Sequence, residues 1–125
     1  MKHLLLALLL ITPSAVRAEP LWAFVQVITG ITEDTTFTEY VDLNSIKTFG
    51  EITYFNEKSI TKIRTSSHTS VKAEQVNCPK RLFLANANLG VDNVFWQSFD
   101  RDNSYKGIQK GMAEFVCNIV DKQQP

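Results

Sequence analysis

The chain has 125 residues, 13 basic and 13 acidic, with two cysteines, two histidines and 44% hydrophobic residues. That length fits one domain with a small core. The balanced charge excludes a strongly basic domain and gives no reason to expect nucleic acid or polybasic docking on anionic membranes.

The first stretch, MKHLLLALLLITPSAVRA, is ordered like an export signal. Lys2 and His3 precede an apolar run from Leu4 to Ile11, and Pro13 breaks the run. Val16 and Ala18 then stand where signal peptidase needs small side chains for a cut between Ala18 and Glu19. The apolar core is about eight residues long, against about twenty for a membrane-spanning helix. Residues 1–18 are therefore expected to be a cleaved signal peptide, 19–121 a single domain and 122–125 a flexible tail. No cysteine lies near the cut to carry a lipid, and no other segment is long and apolar enough to span a bilayer. The expected product is exported, to the periplasm, the medium or the cell surface, with no lipid anchor. Setting Lys2 and Arg17 aside from the 13 basic residues leaves 11 against 13 acidic ones, still no polyanion-binding balance.

Cys78 and Cys117 are the two cysteines. An even count in an exported protein favours a disulfide. It would close a loop of about forty residues, worth roughly 4 kcal/mol in loop-closure entropy. A thiol nucleophile would need a neighbouring base, and His68 is the one histidine left after the leader. A zinc site would need about four ligands at characteristic spacings, which two distant cysteines and one histidine do not supply.

From Leu21 to Ile28 the run LWAFVQVI is continuously apolar and rich in β-branched and aromatic residues, which predicts a buried strand. TGITEDTT reads as a loop, and FTEYVDL, residues 37–43, as a second strand. In DLNSIKTFG, Asp42 and Asn44 are local cappers of a bend that Gly50 closes. EITYF predicts a third strand with Ile52 and Tyr54 on one side and Thr53 and Phe55 on the other. NEKS reads as a turn into a strand ITKIRT, and SSHTS as a polar loop tip carrying His68. VKAEQVNC reads as an edge or half-exposed strand, KRLFLANAN as another, LGVDN as a turn, and VFWQSF as a strand anchored by Trp96. Ser104 is a helix N-cap, followed by Ile108, Met112, Phe115, Val116 and Ile119 at helical spacing. Gly107 and Gly111 weaken that helix and suit a close approach to a sheet. Cys117 falls off this stripe, so the helix is expected to end at about Cys117. About six short strands followed by one helix make an α+β domain with a mostly antiparallel sheet.

Few constellations carry chemistry. Asp100–Asn103 with Asp92 lacks the glycine and distal glutamate of a calcium loop. Gly107–Gly111 lacks the Gly-Lys-Ser/Thr ending of a phosphate loop. His68 has no serine or carboxylate partner identifiable in sequence. Lys80 and Arg81, beside Phe83, make a candidate cationic binding patch, to which Lys58, Lys62, Arg64 and Lys72 add if their strands neighbour it. Trp22 and Trp96 read as core residues before ligand platforms. No cofactor, metal or catalytic set is called for.

The order of marked residues carries a resemblance. Trp22 opens the chain after the leader, then come EYVDLNSI, Gly50, a strand ending in Cys78, the basic KRLFL, Trp96, a serine-led helix and a late Cys117. This order resembles the surface-adhesin protein E family of small exported bacterial proteins, across nearly the whole chain after the leader. The resemblance implies an antiparallel sheet of about six strands with the C-terminal helix on its concave face, tethered by Cys78–Cys117. It also implies a non-catalytic binding module that engages host matrix proteins and forms homodimers. Two departures stand out: the lipid-attachment cysteine is missing, and Tyr54 and Phe55 stand where relatives often place a tryptophan. The alternative is a periplasmic protein that binds an envelope component or inhibits an enzyme, with no adhesive role.

Overall fold

A computed structural model describes residues 19–29, 34–85, 95–99 and 104–123, with backbone alone at 85 and 104–109. Strands β1 (Trp22–Thr29) and β2 (Thr35–Asp42) lead into a single 3-10 turn, Leu43–Ser45. Strands β3 (Lys47–Phe49), β4 (Ile52–Ile63), β5 (Ser66–Asn77), β6 (Leu82–Ala85) and β7 (Phe95–Ser98) follow, and helix α1 (Ser104–Gln123) closes the domain. The strands form one antiparallel sheet in the order β1-β2-β4-β5-β6-β7, with β3 hydrogen-bonded to β4 beside this path. The expected class, a mostly antiparallel sheet with one C-terminal helix tethered by a disulfide, is the one observed.

Local chemistry accounts for the bends. The Asp42 carboxylate caps the 3-10 turn, accepting from the Asn44 amide at 3.0 Å and from the Leu21 amide at 2.9 Å. One side chain thus ties the turn to the start of β1. The Ser45 hydroxyl donates to the Asp42 carbonyl at 2.7 Å and accepts from the Asn56 amide at 2.8 Å, joining the turn to β4. Gly50 turns β3 into β4 at φ +63°, a left-handed conformation that costs glycine nothing.

Helix α1 packs on one face of the sheet, called here the inner face. Val41, Phe55, Val76 and Phe83 from the sheet meet Met112, Ala113, Val116, Cys117 and Val120 from the helix, with Phe99 closing one end. Cys78 and Cys117 are joined as a disulfide with Cα atoms 5.4 Å apart. At Gly111 the nearest atoms to an added β-carbon are the amide end of the Gln26 side chain of β1, so this glycine makes room for that side chain.

Several local expectations are corrected. The helix does not end near Cys117 but runs to Gln123, because its buried stripe is rotated from the one first drawn. Ala113 and Val120 belong to it, and Cys117 lies about 40° from Ala113, so the cysteine is buried and Phe115 and Ile119 flank. NEKS is not a turn: each of its residues pairs with β5, and β4 runs unbroken through it. The hairpin turn is Arg64–Thr65, and His68 sits within β5 opposite Thr61, exposed, rather than on a loop tip. β1 is an edge strand with Phe24 and Val27 exposed, not a buried one. β5 lies inside the sheet order, though it meets β6 only at Val76 and Asn77 and is flanked by β4 alone over the rest among the described residues. The leader, Asp92, Asp100–Asn103, most of the TGIT loop and the LGVDN turn lie outside the described residues, as do the side chains of Ser104, Gly107 and Ile108.

Native protein is expected to show no free thiol on titration. Cys117→Ala should lower stability by roughly 2–5 kcal/mol, read as a melting-temperature drop well beyond 5 °C. Arg64 occupies φ 55° in the two-residue turn, which disfavours any residue with a β-carbon. Thermal melts should find Arg64→Gly at least as stable as the natural chain and Arg64→Val several degrees lower, because a β-branched side chain fits that conformation worst.

Candidate binding face

Directly opposed residues of antiparallel strands share a face, so the register sorts every side chain of the sheet. β1 carries a bulge at Val25, where its pairing with β2 shifts by one residue. The shift reverses parity: Gln26 and Ile28 turn inward with Glu39 and Phe37, while Val27 and Thr29 join Phe24 on the outer face. One outer row then crosses four strands, with Phe24 opposite Tyr40, Tyr40 opposite Lys58 and Lys58 opposite Val71. The next row is Val27, Thr38, Ile60 and Thr69.

No layer covers these rows among the described residues. Phe24 is 57%, Val27 50% and Val71 58% exposed. The Lys58 ammonium stands 4.8 Å from the Trp22 ring centre and 4.9 Å from that of Tyr40, and Phe24 meets Tyr40 edge to face at 6.0 Å. Further along, Phe49 and Tyr54 make a second edge-to-face pair beside Lys47. Trp96, expected in the core, is 39% exposed and shares the outer face with Leu84. Trp22 is half-buried on the same face. The apolar signal was visible in these side chains, but their face was not.

The inner face has the opposite character. Glu39, Glu57 and Glu74 project from β2, β4 and β5 on the helix side, with Lys72 directly opposite Glu57. Glu39 is 2% exposed; one carboxyl oxygen accepts from the Ser59 hydroxyl at 3.0 Å and Oε2 has no partner among the described residues. Burial, then the charge of Glu57, raises its pKa to about 7. Burial raises Glu57 to about 8, helped by the charge of Glu74 and a hydrogen bond with it, and Lys72 offsets this in part. Both are held as neutral acids in mildly acidic solution. The crevice lined by Phe55, Glu57, Glu74 and Met112 encloses only about 10 Å³, room for one water and not for an organic ligand. A larger cleft of about 270 Å³ lies beside the disulfide, between Thr48, Glu51, Cys78 and Asp121.

The candidate cationic patch is placed in pieces. Lys80 and Arg81 lie in the turn before β6, not on a strand. The Lys80 amide donates to the Asn77 side chain, its ammonium pairs with Glu51 at 3.7 Å, and the Arg81 guanidinium lies over Phe99 at 4.9 Å. Arg64 pairs with Asp34 at the far end of β4, Lys72 is on the inner face, and Lys58 and Lys62 are on the outer face. The four do not extend the Lys80–Arg81 pair. Among the described residues no group of three or more His, Cys, Asp or Glu is disposed to hold a metal ion, and no helix is long and apolar enough to cross a membrane. Set against family models, curated proteins and solved structures, the chain matches none.

The buried acids fix a pH dependence. With folded values above the ordinary 4.5, the native state binds more protons than the unfolded chain between about pH 4.5 and 8. Stability is therefore full below that window and is lost as pH rises through it. Each unit of difference is about 1.4 kcal/mol, or roughly 6–11 °C. Melting temperature should fall from pH 5 to pH 8, and Glu57→Gln should flatten that slope; an unchanged slope would mean that Glu57 is ionised in the fold.

Proposed function

We propose that this chain is an exported, non-catalytic binding module whose outer sheet face takes up a protein ligand. The observation that carries the reading is the uncovered apolar face itself. Monomeric soluble proteins rarely leave a contiguous apolar surface open unless it meets a partner, and here Phe24, Val27 and Val71 are each at least half exposed on one side of one sheet. Aromatic side chains with a polar or cationic neighbour, as in the Trp22–Lys58–Tyr40 stack, are the groups that anchor protein interfaces. The small volume of the inner crevice favours a surface reading over an enclosed active site.

The resemblance to surface-adhesin protein E, carried by the order of Trp22, EYVDLNSI, Gly50, Cys78, KRLFL, Trp96 and Cys117, supports a host matrix protein as the ligand. The disulfide and the leader-like N-terminal stretch support delivery to an oxidising compartment outside the cytoplasm. The test is equilibrium binding of the processed chain to immobilised matrix proteins. Saturable binding is expected, and Phe24→Ser with Val71→Ser should weaken it at least about tenfold, which is roughly 1.4 kcal/mol. Absence of binding to every matrix protein, together with protein confined to the periplasm on fractionation, would favour an envelope component as the partner.

A further inference from the structure

We infer that the outer face is built for an acidic polypeptide segment with apolar side chains, anchored on Lys58. This rests on the binding-module reading and names the chemistry of the partner. The register largely separates the charges of the sheet, with Lys72 the one strand lysine placed among the inner glutamates. Lys47, Lys58 and Lys62 all lie on the outer face, by their pairing with Tyr54, with Tyr40 and with Thr36. Glu39, Glu57 and Glu74 all lie on the inner face, under the helix. The carboxylate of the outer face on these strands, Asp42, is buried and committed to the amides of Leu21 and Asn44. The near-zero net charge of the whole chain therefore hides a face with lysines and no exposed carboxylate on β1, β2, β4 and β5.

Lys58 is the centre of that face. It has no carboxylate partner among the described residues, and its ammonium is held between the Trp22 and Tyr40 rings. That contact removes part of its water and fixes a flexible side chain, so a carboxylate arriving there meets a cation already ordered. Phe24 and Val71 lie at the two ends of the same row, which is about 14 Å long at ~4.8 Å between strands. A segment carrying a carboxylate between two apolar side chains matches that sequence of apolar, cationic and apolar groups. A bare anionic membrane or nucleic acid fits less well: each calls for clustered lysines and arginines, whereas here single lysines alternate with apolar and hydroxyl side chains.

The experiment is an NMR titration of the isotope-labelled processed chain with a synthetic peptide of alternating glutamate and leucine, roughly ten residues long. Parallel arms use the same peptide with lysine for glutamate, phosphatidylglycerol vesicles and single-stranded DNA. The expected result is amide shifts clustered on residues 22–29, 36–42, 56–62 and 69–73 with the acidic peptide alone. Lys58→Glu should weaken that binding more than tenfold, Lys58→Met less, and Lys122→Glu not at all. Circular dichroism checks that the variants fold, and should Lys58→Glu not fold, Lys58→Met and the lysine peptide still decide. Shifts on the helix face, equal binding of both peptides, or binding by vesicles or DNA alone would overturn the inference. Matrix proteins that bind with no sensitivity to Lys58→Glu would overturn it while leaving the binding-module reading intact. An acidic peptide that binds this face when no matrix protein does would remove only the matrix ligand.

Discussion

The bond between Cys78 and Cys117 decides which side of the sheet is inside. Cys78 follows the end of β5, and Cys117 lies two-thirds of the way along α1, so the bond draws the helix across one face and holds it there. A domain of this size has a small core and correspondingly little net stability. The helix offers a narrow stripe of small and medium side chains, with Ala113 and Cys117 among them, and Gly111 makes room for the Gln26 side chain of β1. Loop closure of about forty residues supplies a contribution comparable to the whole net stability of many small domains.

Once one face is covered, the character of both faces follows from strand parity. The covered face carries three glutamates, and burial, followed by the charge of a neighbouring glutamate, raises Glu39 and Glu57. Hydrogen bonding from Ser59, the Glu57–Glu74 contact and the opposing Lys72 make this tolerable. The face opposite the helix keeps Trp22, Phe24, Tyr40, Lys58 and Lys62. An apolar face of this kind meets a partner or invites aggregation, and the Lys58 cation set among rings is a feature that resists the second outcome.

The bulge at Val25 is the smallest feature with the largest effect on this face. One extra residue in β1 exchanges Gln26 for Val27 as the side chain presented to solvent. An unbroken β1 would have turned Val27 inward and left Gln26 beside Phe24. The same displacement brings the Gln26 side chain against Gly111 of the helix.

The sequence by itself determined the α+β class, the pairing of its two cysteines, the capping by Asp42 and the turn at Gly50. Each of these rests on counting or on chemistry within a few residues. It also made the two sides of Ile52–Phe55 legible, because alternation is local. Tertiary structure alone decided that NEKS continues a strand, that Cys117 joins the buried stripe, that Trp96 faces out, and that the strand glutamates gather on one side with Lys72 while Lys47, Lys58 and Lys62 lie on the other. The physical reason is that a face belongs to a register between strands distant in sequence. A one-residue bulge reverses that register without any strong signal in a run such as LWAFVQVI, where Gln26 is the single polar residue.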